Sequence, residues 1–174
     1  MPWTRLLPVA VLILLGVFFA LNLGRPQQTA VRSAMVGQPA PDLALPGLAP
    51  GAAGLSTADL KSGRPVLVNF FASWCLPCRV EAPHLQVLKD KGVIVHGIAL
   101  RDSPENIRGF LARHGNPFAR IGLDTQGQAA IAFGSSGVPE TFLIDGKGII
   151  RKQHLGEIRA EHVPDLLREL DQWR

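Results

Sequence analysis

Cysteine is nearly absent from this chain: 174 residues contain two, Cys75 and Cys78. A structural zinc site needs two further soft ligands, and there is no third cysteine. None of the five histidines forms an H-x₃₋₅-H pair either, so zinc is not expected. Covalent haem attachment needs C-x-x-C-H, and residue 79 is Arg. A purely structural Cys75–Cys78 bridge is a poor explanation, because closing a two-residue loop removes little unfolded-chain entropy. A basic surface patch is also lacking. Of the 18 Lys and Arg, three (Arg5, Arg25 and Arg32) precede residue 35, which leaves 15 against 14 acidic residues. The net charge of +4 is therefore a property of the N-terminal flank, and a nucleic-acid partner is not expected. There is no internal repeat and no low-complexity tract.

Apolar residues make up 47% of the chain, enough to build a core for one domain of ordinary size. After a tail of residues 1–5, Leu6 to Leu23 is continuously apolar apart from Asn22. As a helix, that run would extend about 27 Å, close to the roughly 30 Å of a hydrocarbon core, with Trp3 at the interface. A cleaved signal peptide would carry an apolar region of about 7–15 residues and a small-x-small site. Here the run is longer and Ala20-Leu21-Asn22 is a poor site, so residues 6–23 read as an uncleaved transmembrane anchor. Arg5 on one side and Arg25 with Arg32 on the other leave its orientation undecided by charge.

Residues 24–36 are polar and unpatterned and read as a linker. Gly37–Pro46 is punctuated by proline and admits only short edge strands. Thr57–Lys61 suits one helical turn. Pro65–Ala72 is a buried strand by its continuous apolar content. Cys75 to about Lys91 is a helix stopped by Gly92, with a kink expected at Pro83. Val93–Leu100 is a second strand, and Ser103-Pro104 starts a helix that Gly115 ends. A strand near Ala119–Leu123 and a helix near Gln128–Phe133 follow. Thr141–Ile144 and Ile149–His154 form a hairpin across Asp145-Gly146-Lys147-Gly148, and a helix from Val163 to Trp173 closes the chain. This order implies an α/β domain over residues 37–174, with a central mixed sheet flanked by helices.

Ser73-Trp74-Cys75-Leu76-Pro77-Cys78 stands at the exit of the buried strand and the entrance of the helix. A C-x-x-C in that place reads as a thioredoxin-like redox motif, in which two thiols store and release two electrons without metal or organic cofactor. The free amides and positive dipole end of a helix favour thiolate at Cys75. Cys78 lies one turn on, at a spacing compatible with a disulfide. Cys75 is thus the nucleophile, and the more buried Cys78 resolves the mixed disulfide. Trp74 would shield the pair and offer a flat docking surface, and Pro77 suits the first helical turn. Pro139 precedes a strand, where an ordinary trans proline is the plain reading.

Residues 37–174 resemble the thioredoxin superfamily and, more narrowly, the DsbE/CcmG branch of membrane-anchored oxidoreductases of cytochrome c maturation. The resemblance is carried by Val36–Pro46, by Val68–Pro83 around the cysteines, by Arg101–Asn106 and Gly115–Phe118 of the branch's insertion, and by Gly137–Asp145. It implies a single-pass bacterial inner-membrane protein with its C-terminal domain in the periplasm. It also implies electrons received from a membrane thiol transporter of DsbD or CcdA type. These pass to apocytochrome c, whose C-x-x-C-H cysteines must be dithiols before haem is attached, alongside other cytochrome c maturation components. It further implies a cis Val138–Pro139 bond that leaves the Val138 backbone free to pair with a bound peptide. Asn69 stands where thioredoxin has a buried Asp. Glu81 and Glu140 are the family's acids near the site, and one of them is expected to move the Cys78 proton; the alternative is that both are solvated surface acids. Glu157 falls where the family often has an acid, with a role in partner binding. Ser135-Ser136 departs from the bulkier pair usual in relatives, which implies a wider or more polar partner groove. His84, His96, His114 and His154 read as isolated structural or surface residues. A peroxiredoxin-like thiol peroxidase, and a non-catalytic anchored chaperone that docks apocytochrome, are the alternatives to a disulfide reductase.

Overall fold

The computed structural model describes residues 3–23 and 33–174, and the chain divides into two compact units, Met1–Val31 and Arg32–Arg174. In the first unit Trp3–Leu23 is one helix, α1, with Pro8 inside it. Its side chains are described for Pro8 and residues 10–19. The large apolar ones from Val11 to Phe19 are all exposed. Among the described residues no helix is long and apolar enough to cross a membrane. The anchor expected over residues 6–23 therefore rests on the sequence run. Residues 24–32 of the expected linker lie outside the described residues.

The second unit is built on Val66–Phe71, β3, buried at all six positions. A strand buried on both faces cannot alternate with polar residues, which is why this segment reads as a continuous apolar run. Two short edge strands precede it, Ala44–Leu45 (β1) and Leu55–Ser56 (β2), paired antiparallel and followed by the single-turn helix Thr57–Leu60, α2. β3 leads into α3, Leu76–Asp90, which crosses back to β4, Ile94–Leu100. Then come α4 (Pro104–His114), β5 (Arg120–Asp124), α5 (Gln128–Ala132), β6 (Glu140–Ile144) and β7 (Ile150–Leu155). A 3₁₀ turn, Ala160–His162, leads into the last helix, α6, Val163–Gln172. The main sheet has the order β5-β4-β3-β6-β7. β3, β4 and β5 are parallel neighbours, and β6 and β7 are antiparallel additions.

Alternation along β3 divides the core. Val66, Val68 and Phe70 pack with Leu60, Phe133 and Phe142 on one face. Leu67 and Phe71 pack with Leu85, Leu88, Ile107, Phe110 and Leu166 on the other. Phe70, Phe133 and Phe142 meet edge to face with centroids 5.2–5.7 Å apart, the arrangement favoured by the ring quadrupole. Asn69 shares the parity of Leu67 and Phe71, which turns it toward α3.

Local signals stop and start the elements as their chemistry requires. Ser103 Oγ accepts from Asn106 N–H at 3.2 Å and caps α4, and Gly115 ends it at φ 87°. The β6–β7 turn is held by Asp145, whose carboxylate accepts from the N–H groups of Lys147 (2.9 Å) and Ile149 (3.0 Å). As expected, the active-site helix continues through its proline: α3 runs from Leu76 to Asp90 with Pro83 inside it. Burial of Cys78, Glu81, Ala82, Leu85 and Leu88 along one face outweighs the loss of one backbone hydrogen bond on the exposed side. Deleting the Phe133 ring should expose the dependence of the fold on its aromatic face. Phe133→Ala is expected to lose about 3–5 kcal/mol in urea unfolding, with the midpoint lowered and the slope unchanged.

Candidate active site

The end of β3 delivers the chain to a tight approach before α3: Cys75 N–H bonds to Ala72 C=O at 3.3 Å, and Cys75 itself is the N-cap. Pro77 occupies the first turn, where a missing N–H costs nothing. Cys75 and Cys78 form a disulfide with Cα atoms 5.3 Å apart. Cys78 N–H also points at Cys75 Sγ, 3.2 Å away, so the sulfur accepts one of the amides that the helix start leaves without a partner. A charge on Cys75 sulfur would meet that amide and the positive end of α3. Both residues are buried, Cys75 to 4% exposure and Cys78 to 1%, so the difference between them is narrow. Trp74, the residue before Cys75, is 58% exposed.

Glu81 lies one turn beyond Cys78 on the same side of α3 and is fully buried. Its Oε1 accepts from Asn69 Nδ2 at 3.0 Å, and its Oε2 accepts from the Ile158 N–H at 3.2 Å. Asn69 Nδ2 also donates to Thr141 Oγ1 at 3.0 Å, while Asn69 Oδ1 is buried without a hydrogen bond. Burial raises the Glu81 carboxyl pKa to about 7. The Asn69 and Ile158 donors oppose that rise, and the Glu157 charge adds to it. Since Asn69 does not titrate, the exchangeable proton of this cluster resides on Glu81.

Glu140, at 1% exposure, is equally removed from solvent. Its Oε2 accepts from Ser135 Oγ (2.9 Å), Ser136 N–H (2.9 Å) and Ser136 Oγ (3.1 Å), and its Oε1 accepts from Gln153 Nε2. The reading of Glu81 and Glu140 as solvated surface acids is thus overturned by their burial. Ser135-Ser136, the departure from the relatives' bulkier pair, is the dipeptide that chelates Glu140. The Val138–Pro139 bond is cis. Val138 makes no backbone hydrogen bond among the described residues, whereas Pro139 C=O accepts from Gly156 N–H at 3.1 Å. Glu157 follows in the same loop; its carboxylate is hydrogen-bonded by Arg159 Nε at 2.9 Å, which holds it below the ordinary carboxylate range.

Sequence reading missed several partners because they lie far away along the chain. Asp102 Oδ2 accepts from the Ser73 N–H at 2.7 Å, and Arg79 Nη2 donates to Ser73 C=O at 3.4 Å, so the turn before Cys75 is held at both ends. His154 is not isolated: its ring lies 4.7 Å from that of His162, and it is half-buried. His96 is buried, and burial pushes its imidazole below the ordinary range.

A two-residue-spaced disulfide that caps a helix at the end of a central strand, with a cis-proline loop at the same end of the sheet, defines a thiol–disulfide oxidoreductase of the thioredoxin fold. The Redoxin family model matches residues 35–170. The chain is 40% identical over 144 residues to the thiol:disulfide interchange protein HelX of Rhodobacter capsulatus, covering 83% of this chain and 80% of that one. It is 38% identical over 156 residues to the thiol:disulfide interchange protein DsbE of Pseudomonas fluorescens biotype C, covering 90% and 86%. A crystal structure assigned to a thiol:disulfide interchange protein DsbE of Chlorobium tepidum superposes with a TM-score of 0.64 at 33% identity, covering 79% of this chain and 95% of that one. The chain belongs to the Redoxin family, as a DsbE/CcmG-type member of the thioredoxin superfamily.

The raised carboxyl of Glu81 ties stability to pH. A carboxyl whose folded pKa lies above its unfolded value favours the fold fully below about 4.5, and that contribution is lost as pH rises through about 7. In the oxidised protein, Glu81→Gln should flatten the pH dependence of urea stability between those values. At pH 8 it should be more stable than the parent by an amount on the order of 3 kcal/mol.

Proposed function

We propose that this protein reduces the disulfide of apocytochrome c, so that the C-x-x-C-H cysteines are thiols when haem arrives. The observation that carries this reading is the Cys75–Cys78 pair at the N-terminus of α3, in a chain akin to thiol:disulfide interchange proteins called DsbE and HelX. In the reduced protein, Cys75 thiolate attacks one sulfur of the substrate disulfide. A mixed disulfide forms, and the other substrate sulfur leaves as a thiolate that takes up a proton. Cys78 then gives up its proton and attacks Cys75 Sγ. The Cys75–Cys78 disulfide closes, and the second substrate sulfur departs. Two electrons have passed from the pair to the substrate. A membrane thiol transporter of DsbD or CcdA type returns the pair to the dithiol.

Glu81 is the group that receives the Cys78 proton in this scheme. It sits one helical turn from Cys78, and a carboxyl with a pKa near 7 exchanges protons efficiently at neutral pH. Glu140 is the weaker candidate, because four donors from Ser135, Ser136 and Gln153 already hold its two oxygens, against two donors on Glu81. Trp74 and the unoccupied backbone of Val138 receive the substrate segment, and Glu157 supports partner binding beside the cis-proline loop.

The setting is the periplasmic face of a bacterial inner membrane, with residues 6–23 as a single-pass anchor. Support comes from the continuous apolar run of the sequence. A peroxidase would need a lone attacking cysteine, and here the resolving sulfur lies one turn away.

Removing the resolving thiol separates an electron-transferring enzyme from a docking chaperone. Cys78→Ser is expected to accumulate a mixed disulfide through Cys75 in cells making c-type cytochromes, seen as a dithiothreitol-sensitive adduct on gels. Mass spectrometry of the adduct should identify a C-x-x-C-H protein. Absence of any Cys75 adduct would discard the reductase reading, and an adduct with proteins lacking that motif would discard the substrate.

A further inference from the structure

A groove of about 340 Å³ is lined by Trp74, next to Cys75 in the chain, and by Arg101, Ile131, Ser135, Ser136 and Val138. Its rims are apolar and open to solvent: Trp74 is 58% exposed and Ile131 67%. Arg101 is the only charged residue that lines it.

Three observations set Arg101 apart. Among the described residues it is the one non-glycine residue with a left-handed backbone, at φ 48°. Glycine or asparagine adopts that conformation at lower cost, so a long cationic side chain held there is an outlier of the kind that gathers at ligand clamps. Its position is also tightly set on both sides. Arg101 N–H bonds to Asp124 C=O at 2.9 Å, and the next residue, Asp102, bonds to the Ser73 N–H at 2.7 Å. The cation is thereby registered against the turn that carries Trp74 and Cys75. Its side chain also crosses Gly127 so closely that a Cβ there would lie 3.0 Å from Arg101 Nε and 3.2 Å from Nη2.

The carboxylates nearby are turned to other donors. Asp102 accepts from Ser73 and Ser103 N–H, Asp124 from Ala130 N–H, and Glu140 from Ser135 and Ser136. Arg101 forms no ion pair among the described residues. The groove thus offers exposed Trp74 and Ile131, the Ser135-Ser136 pair, a free backbone at Val138 and one uncompensated positive charge.

We propose that Arg101 is a specificity residue: the groove takes an extended segment of the disulfide-bearing partner, with a glutamate or aspartate side chain of that segment seated on the guanidinium. The inference rests on the reductase reading above and adds the charge of the sequence that flanks the partner's disulfide. Rim charges of this kind act on association and partner choice, and salt weakens them.

Synthetic peptides bridged through C-x-x-C test it, with a single glutamate, glutamine or lysine moved through the four positions on each side of the bridge. Reduction by the full-length chain, first reduced and then freed of reductant, is followed in single turnover at low and high ionic strength. At one or two positions the glutamate peptide should show a second-order rate constant about fivefold above its lysine twin, a gap that closes in roughly 0.5 M salt. R101E should invert the preference. R101Q, which removes the charge and keeps a shorter polar side chain, should abolish it, and thermal unfolding of both variants confirms that they are folded. Equal rates for the three peptides at every position overturn the proposal, as does a preference that survives in R101Q. Failure of the parent protein to reduce any of the peptides brings down the reductase reading and this inference with it.

Discussion

A helix that begins where a central strand ends has amide groups without helical partners, and in α3 one of them is turned on a sulfur. Everything chemical about this protein depends on that placement. β3 is locked in the middle of the sheet, parallel to β4 on one side and antiparallel to β6 on the other. Its carboxyl end is therefore a fixed point, and the sulfur at the N-cap inherits that rigidity. The antiparallel neighbour brings the cis-proline loop to the same end of the sheet. The site is thus assembled by strand pairing before any side chain in it makes a contact.

Beneath the sulfurs lies a second layer made of acids without solvent. Glu81 and Glu140 both act as ties between segments far apart in sequence. Glu81 joins α3 to Asn69 of β3 and to the Ile158 amide beyond β7. Glu140 joins the start of β6 to Ser135, Ser136 and Gln153. The Gly156 amide, bound to Pro139 C=O, closes the ring. The difference between the two acids is one of saturation. Glu140 meets four donors, whereas Glu81 meets two in a setting that resists its charge. The less satisfied acid is the one whose burial raises its carboxyl pKa to about 7.

Much of the frame was legible before the structure. The unbroken apolar run of β3, the Ser103-Pro104 start of α4 and the turn chemistry of Asp145–Gly148 each announce their element through local physics. Pro83 was read as a local penalty inside a continuing helix, and α3 does continue through it, because its buried face is stronger than one missing bond. The ring pairing of His154 with His162, and the hold of Asp102 on Ser73, carry no local signature. The first is made by the fold of the loop after β7, and the second joins segments that the pairing of β3 with β4 brings together.

By itself, the order of residues determined the redox chemistry: two sulfurs at a spacing of three, after a buried strand and before a helix. Such spacing is short-range geometry, and the backbone of one helical turn suffices to set it. Tertiary structure alone decided which acids lose their water and how far each is satisfied. It also left Arg101 without a carboxylate beside the groove. Burial and charge compensation are properties of neighbours gathered from across the chain, and no local pattern records them.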